Sequence, residues 1–441
     1  MCGIVGYIGN KDTKEILLDG LKELEYRGYD SAGITVLSGG EFSSFKAIGK
    51  LINLENKTKD FITDKFAIGV GHTRWATHGK PTELNAHPHA GKHSFVVHNG
   101  IIENYAQLKK ELISHGTTFL SQTDTEVIIH QFEKNLENAA NAFEAFKKTI
   151  KELHGAYAIL LITKGEEDTI FFAKNGSPML IGLDAQNGKY FASSDTPLIG
   201  KCSDVSYFED GDYGYATPDK IVIYDTKDNK KEPAFVKLST NKLSSQKDGY
   251  RFFMEKEIHE QCVVTSDAML GRMCDEKVDF EEFDSSIIEG IEEIKICACG
   301  TSFHAGLTAS YLFERLAKVR CSVEIASEFR YKEPLLNKNT LFIVISQSGE
   351  TADTLEALKM ANKEGLKSIV VCNVDNSSMT RVANYSVLTR AGIEKGVAST
   401  KAFSTQTVVL WMMALYFAQY KNSLSIEEMN SELKALREVP K

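Results

Sequence analysis

The 441-residue chain is long enough for two or three domains at about 150 residues each. Its composition, 42% hydrophobic and 25% charged with only 8 prolines, is that of a folded globular protein and excludes long disorder as the main state. A net charge of -9 argues against nucleic acid as a partner, since a phosphate backbone calls for a basic surface; a local cationic pocket for a small anion stays open. The longest apolar run, Val408 to Phe417, is well short of the roughly 20 residues of a membrane span, so it reads as a buried helix and no membrane partner is expected. No basic leader precedes an apolar core at the N-terminus, and the scattered cysteines include no CxxC pair, so a reducing cytoplasm is the expected compartment.

In chain order, Ile4 to Ile8 is predicted as a strand and residues 13 to 24 as a helix, with Ile16, Leu17, Leu21 and Leu24 at helical spacing. Ala32 to Leu37 and Phe42 to Ile48 flank Ser38-Gly39-Gly40-Glu41, which is hairpin chemistry. Further strands are predicted at 66–71, 95–98, 156–162, 170–173, 179–182 and 221–224, and helices at 104–114, 124–136 and 139–153. Residues 226–248 are polar and read as a linker, which puts a boundary near 240. Beyond it, strands at 294–299, 323–325, 341–345, 368–373 and 385–388 alternate with helical segments, the pattern of a parallel sheet with crossover helices. Ser425-Ile426-Glu427-Glu428 is a capping box opening a last amphipathic helix.

Cys2, followed by the small Gly3, would carry both a thiol and a free α-amine once Met1 is removed; an amine of pKa near 8 is a workable base, so nucleophile and base would share one residue. The alternative is a chance cysteine near a terminus. Asn99-Gly100, after the apolar Phe95 to Val97, suits either a turn or a pair of oxyanion donors. Asp124 suits either a helix cap or, with Arg74, a clamp on the charged end of an amino acid. Six histidines lie between 72 and 98, and they read as hydrogen-bonded loop histidines rather than a zinc site, so no metal and no cofactor are expected.

Met1 to Gly6, Tyr26 to Gly33, His72 to Gly79, His98-Asn99-Gly100 and Thr123 to Glu126 together resemble the class II glutamine amidotransferase domain over roughly residues 2 to 230. The resemblance implies an N-terminal-nucleophile αββα sandwich in which Cys2 attacks the glutamine amide and its amine shuttles the proton. It further implies that Asn99 and Gly100 hold the oxyanion, that Arg74, Thr77, His78 and Asp124 bind the amino-acid end of glutamine, and that Trp75 gates ammonia.

In the second half, Cys299-Gly300-Thr301-Ser302 and Ser346-Gln347-Ser348-Gly349-Glu350-Thr351 each follow a predicted strand. Hydroxyls and free N–H groups at a helix start suit a phosphate, although Ser and Thr there also serve as plain caps. These turns resemble the sugar isomerase (SIS) domain, a flavodoxin-like fold, over about 290 to 420. That resemblance implies sugar-phosphate contacts from Thr301, Ser302, Ser346, Gln347, Ser348 and Thr351, with Val397 and Ser399 near the sugar and Lys401 structural.

The two modules in this order resemble the isomerising hexose-phosphate aminotransferases. L-Glutamine and fructose 6-phosphate are then the implied substrates, glucosamine 6-phosphate and glutamate the products, and a homodimer the implied assembly. Other class II amidotransferases, or a phosphosugar-sensing regulator, are the alternative readings. The organisation expected is a glutaminase domain at 1–240, a linker and helical lead-in at 241–289, an SIS domain at 290–425 and a connecting helix at 426–441. The family resembled continues into a second isomerase module with a Schiff-base lysine, for which no match is found here. The sequence is therefore read as C-terminally truncated, with glutaminase chemistry complete and sugar chemistry incomplete.

Overall fold

A computed structural model describes residues 2–75, 79–238, 247–274 and 276–441, the side chain of Arg27 apart. The chain divides into two units, Met1–Lys242 and Leu243–Lys441.

The first unit runs β1 (Gly3–Gly9), α1 (Thr13–Leu24), β2 (Ser31–Ser38), β3 (Glu41–Ile48), α2 (Leu51–Lys57), β4 (Ala67–Arg74), β5 (His89–Ala90), β6 (Ser94–Ile102), α3 (Tyr105–Ser114), α4 (Glu126–Leu136), α5 (Ala142–Glu152), β7 (Gly155–Thr163), β8 (Ile170–Asn175), β9 (Leu180–Leu183), β10 (Lys189–Ala192), β11 (Asp204–Tyr207), β12 (Tyr213–Ala216), β13 (Ile221–Tyr224), β14 (Lys230–Lys231) and β15 (Phe235–Lys237). The strands form two antiparallel sheets, ordered β15-β11-β9-β10-β1-β4-β2-β3 and β14-β13-β12-β8-β7-β6-β5.

Alternation along each strand decides the layering. Val5 and Tyr7 of β1 pack outward against Leu17 and Leu21 of α1. Ile4 and Ile8 turn the other way and meet Val97, Leu160 and Phe172 of the second sheet. That sheet's opposite face, with Val96, Ile159 and Leu161, is covered by Leu112, Val127, Phe132 and Phe146 of α3 to α5. The result is the expected four-layer αββα sandwich. Its central strands are buried on both faces, which is why they read as near-continuous apolar runs.

The second unit runs α6 (Phe253–Met269), β16 (Glu293–Ala298), α7 (Gly300–Leu316), β17 (Arg320–Ile325), α8 (Ala326–Phe329), β18 (Thr340–Ser346), α9 (Ala352–Lys363), β19 (Lys367–Cys372), α10 (Ser378–Val382), β20 (Tyr385–Leu388), α11 (Lys401–Lys421) and α12 (Ile426–Glu438). Its sheet is parallel and ordered β17-β16-β18-β19-β20, the flavodoxin-like arrangement. Helices cover both faces, α7 and α11 on one and α8 to α10 on the other. The apolar run Val408 to Phe417 lies in α11, deep in the larger core.

The capping box forms: the Ser425 hydroxyl accepts the Glu428 N–H at 3.2 Å, and the Glu428 carboxylate accepts the Ser425 N–H at 2.7 Å. The helix it opens, α12, folds back so that Met429, Leu433 and Leu436 are buried with α11 in the same core. Among the described residues no helix is long and apolar enough to cross a membrane.

Candidate active site

In the first unit the inner faces of the two sheets converge on one end of the sandwich. Ile4 and Ile8 of β1 face the inter-sheet core, so Cys2, two residues before Ile4, continues that row. On β4, Ile68 and Val70 face the same core, and His72 and Arg74 follow them; on β6, Val97 does so and Asn99 follows. Ile4 pairs with His72 in the β1–β4 register, which sets the start of β1 beside the end of β4.

Hydrogen bonds tie these residues together. Asn99 Nδ2 donates to the Cys2 carbonyl at 3.2 Å. The Trp75 N–H donates to Cys2 Sγ at 3.3 Å, and the thiol faces the Trp75 carbonyl at 3.6 Å. Burial pushes the Cys2 thiol pKa up, while the backbone hydrogen bond to Trp75 pulls the other way. Asn99 Oδ1 accepts from His72 Nε2 at 3.0 Å. Gly100 adopts φ +131°, and a Cβ there would overlap the Ala156 carbonyl, so only glycine lets the chain pass at this point.

Asp124 is buried, and its Oδ2 accepts the Ile102 N–H at 2.8 Å, which anchors it to the strand that carries Asn99. Arg74 is buried too; its guanidinium donates to the carbonyls of Gly79 at 3.0 Å and Lys80 at 3.4 Å. Trp75 is 40% exposed and meets Tyr29 edge-on, ring centroids 5.2 Å apart. Thr77 and His78 lie outside the described residues.

Behind this site lie His72, His87, His89 and His98, all buried. His87 Nε2 and His98 Nδ1 share the Thr125 hydroxyl at 3.0 and 2.9 Å, and His89 Nε2 meets the Thr123 hydroxyl at 3.0 Å. These two threonines flank Asp124. Burial holds all four imidazoles below the ordinary histidine range, His72 at about 3. Among the described residues no group of three or more His, Cys, Asp or Glu side chains is arranged to hold a metal.

In the second unit the chain leaves β16 for the edge strand β17 and returns to β18 on the other side of β16. The carboxyl ends of β16 and β18 therefore flank a topological switch point, where open α/β sheets take ligands. Thr301 and Ser302 open α7 after β16, and Ser346 to Thr351 lead into α9 after β18. Neither helix has a side-chain cap on its first N–H groups. Gly349 at φ +68° turns the chain back.

The Val397 and Ser399 loop lies between β20 and α11. Asn373, just past β19, donates to the Gly392 carbonyl at 2.6 Å and accepts the Ala391 N–H at 2.7 Å. Two buried carboxylates hold the rest, and sequence reasoning missed both. Glu257 of α6 accepts the N–H groups of Lys395 and Gly396 at 2.6 and 2.9 Å; Glu394 accepts those of Thr400 and Ala402 at 3.0 and 3.1 Å. Lys401 is buried and ion-paired with Glu260 at 2.7 Å. His72 also escaped assignment; its signal was the i, i+2 spacing to Arg74 on one strand face.

A glutamine amidotransferase domain model matches residues 72–200, and an SIS domain model matches residues 287–416. The glutamine–fructose-6-phosphate aminotransferase (isomerizing) of Campylobacter jejuni is 56% identical over 100% of this chain and 73% of its own length. The enzyme of the same name from Helicobacter pylori is 47% identical over 100% of this chain and 74% of its own. A solved structure, the C-terminal domain of glucosamine-fructose-6-phosphate aminotransferase from Francisella tularensis, is 45% identical over 44% of this chain and 56% of that one, with a TM-score of 0.43. Identity at this level across the whole chain, spanning both modules, places it: the chain belongs to the glutamine–fructose-6-phosphate aminotransferase (isomerizing) family.

Proposed function

We propose that this chain takes the amide nitrogen of L-glutamine, releasing glutamate, and binds fructose 6-phosphate, the sugar that its family aminates and isomerises to glucosamine 6-phosphate; the chain itself is expected to carry out the glutaminase half. With Met1 removed, the Cys2 α-amine accepts the thiol proton as sulfur attacks the glutamine Cδ. The Asn99 amide and the Gly100 N–H stabilise the oxyanion of the tetrahedral intermediate. The amine returns the proton to the departing nitrogen, and ammonia leaves. Water then cleaves the thioester to give glutamate and restore the thiol.

Arg74, Asp124, Thr77 and His78 hold the charged end of glutamine, and Trp75 controls passage of ammonia. Thr301, Ser302, Ser346, Gln347, Ser348 and Thr351 hold the sugar phosphate, with Val397 and Ser399 beside the sugar. The assembly proposed is a homodimer, and the division proposed is a glutaminase domain to about residue 240 with an SIS domain from about 290.

The observation that carries this reading is the approach of Asn99 Nδ2 to Cys2, with the nitrogen rather than the oxygen of the amide turned toward the nucleophile's residue. Such an amide can donate to an oxyanion. The test is glutamate release from glutamine, measured with and without fructose 6-phosphate. The expected result is a glutaminase rate that responds to the sugar phosphate. No glutamate release under either condition contradicts the proposal, and release indifferent to the sugar favours a different amidotransferase.

A further inference from the structure

We infer that His72 is a positioning residue for glutamine hydrolysis: through its Nε2–H it fixes which end of the Asn99 amide faces Cys2. The inference rests on the reading of Cys2 as nucleophile and Asn99 as oxyanion donor, and adds to it the group that sets the donor's orientation.

Donors and acceptors decide the orientation of the amide. His72 Nε2 lies 3.0 Å from Asn99 Oδ1 and 3.1 Å from the His98 carbonyl oxygen. A backbone carbonyl only accepts, so Nε2 carries the hydrogen. A donor at that point demands the oxygen of the Asn99 amide, which leaves Nδ2 for the Cys2 carbonyl at 3.2 Å. The flipped amide would set N–H against N–H at His72 and oxygen against oxygen at Cys2. Both hydrogen bonds would be lost and a buried oxygen would face the nucleophile's residue. Only the observed orientation offers an N–H to an oxyanion.

The ring itself has little freedom. His72 is 0% exposed and stacks on His87, centroids 4.0 Å apart. His87 is held in turn by the Thr125 hydroxyl and by edge contact with His89, centroids 4.6 Å apart. Thr125 also binds His98, whose carbonyl takes part of the His72 hydrogen. His72 Nδ1 is buried with no hydrogen-bond partner among the described residues, which fits a bare lone pair and the neutral Nε2–H tautomer. A protonated Nδ1–H would sit there unpaired, within the field of Arg74.

A double-mutant cycle on glutamate release tests this. His72→Leu removes the donor and is expected to lower kcat by roughly 10- to 100-fold, less than the roughly 10²–10³-fold loss that follows removal of an oxyanion donor itself, with a much smaller change in KM. In an Asn99→Ala background the same substitution should cost almost nothing, because the group it orients is gone. His72→Gln, which keeps an N–H donor on a side chain of similar length, should recover most of kcat. A full loss that persists in the Asn99→Ala background would overturn the proposal, as would an unchanged kcat in a folded His72→Leu protein or a His72→Gln protein as slow as His72→Leu.

Asn99→Ala alone reports on the underlying reading. If it leaves kcat intact, the oxyanion assignment has failed, separately from the tautomer argument. A second measurement needs no variant. Long-range ¹H–¹⁵N spectra of the wild-type chain with labelled histidine should show His72 protonated at Nε2; protonation at Nδ1 would overturn the proposal even if every variant failed to fold.

Discussion

The hydroxyl of Ser346 accepts the backbone N–H of Gly349 at 3.0 Å. This bond closes the turn between β18 and α9 from within the protein, and a turn held by its own hydrogen bonds lowers the ordering cost of binding a ligand there. Around it, Ser346 also meets the Thr351 hydroxyl at 3.3 Å, and Ser348 accepts the Glu350 N–H at 3.2 Å.

Gly349→Ala should damage this turn. At φ +68° a side chain costs roughly 1–2 kcal/mol, and a Cβ would also overlap the Ser377 hydroxyl. The variant is expected to lose at least that much stability in the second unit, and to bind fructose 6-phosphate more weakly in calorimetry. Unchanged urea midpoint and affinity would show that the turn is freer than its geometry implies.

Arg74→Ala should act on glutamine binding. A charge-assisted hydrogen bond to a carboxylate is worth about 1.5–3 kcal/mol, which predicts a KM increase of roughly 10- to 150-fold. Arg74 also holds the Gly79 and Lys80 carbonyls, so some of the loss will come through that loop. Steady-state kinetics with glutamine as the varied substrate decides the matter; an unchanged KM contradicts the assignment.

Acid should weaken the first unit in two stages. Burial holds His72, His87, His89 and His98 below the ordinary range, so the unfolded chain takes up their protons first. Their stabilising contribution is complete above about pH 6.5 and declines as the pH falls toward the folded values, His72 reaching about 3. Each adds up to about 1.4 kcal/mol per pH unit while it titrates only in the unfolded state. Glu126 acts lower. Burial pushes its pKa up, but hydrogen bonds from His130, from the Leu120 and Ser121 N–H groups and from the Ser121 hydroxyl outweigh that and hold it at about 2. Its contribution is complete above about pH 4.5 and fades as the pH falls toward 2. Urea unfolding between pH 8 and pH 5 should show a falling midpoint below about 6.5; a flat profile contradicts the buried neutral cluster.

Much of the fold is legible because its signals are local. The helix over 13–24, the hairpin around Gly39-Gly40 and the capping box at Ser425 all appear where the residue patterns put them. The strands Lys189–Ala192, Asp204–Tyr207 and Tyr213–Ala216 escape prediction. Each has only four residues and owes its conformation to partners far along the chain, Lys189–Ala192 to β1 and β9, for example. The loop carboxylates Glu257 and Glu394 are silent in the sequence for a similar reason: Glu257 caps N–H groups some 138 residues away.

Motif resemblance names Cys2, Asn99 and Asp124, but sequence alone does not show which face of a strand looks inward when both faces are buried. That choice, made by the packing of Ile4, Val70 and Val97 between the sheets, is what brings His72 to Asn99.

The central claim is that Cys2 attacks glutamine. The most direct measurement is acid quench during turnover of isotopically labelled glutamine, followed by peptide mapping by mass spectrometry. The expected product is a glutamyl thioester on an N-terminal peptide beginning at Cys2, absent from Cys2→Ala, which should release no glutamate. Label on any other residue, or a Cys2→Ala protein that releases glutamate at the wild-type rate, would contradict it.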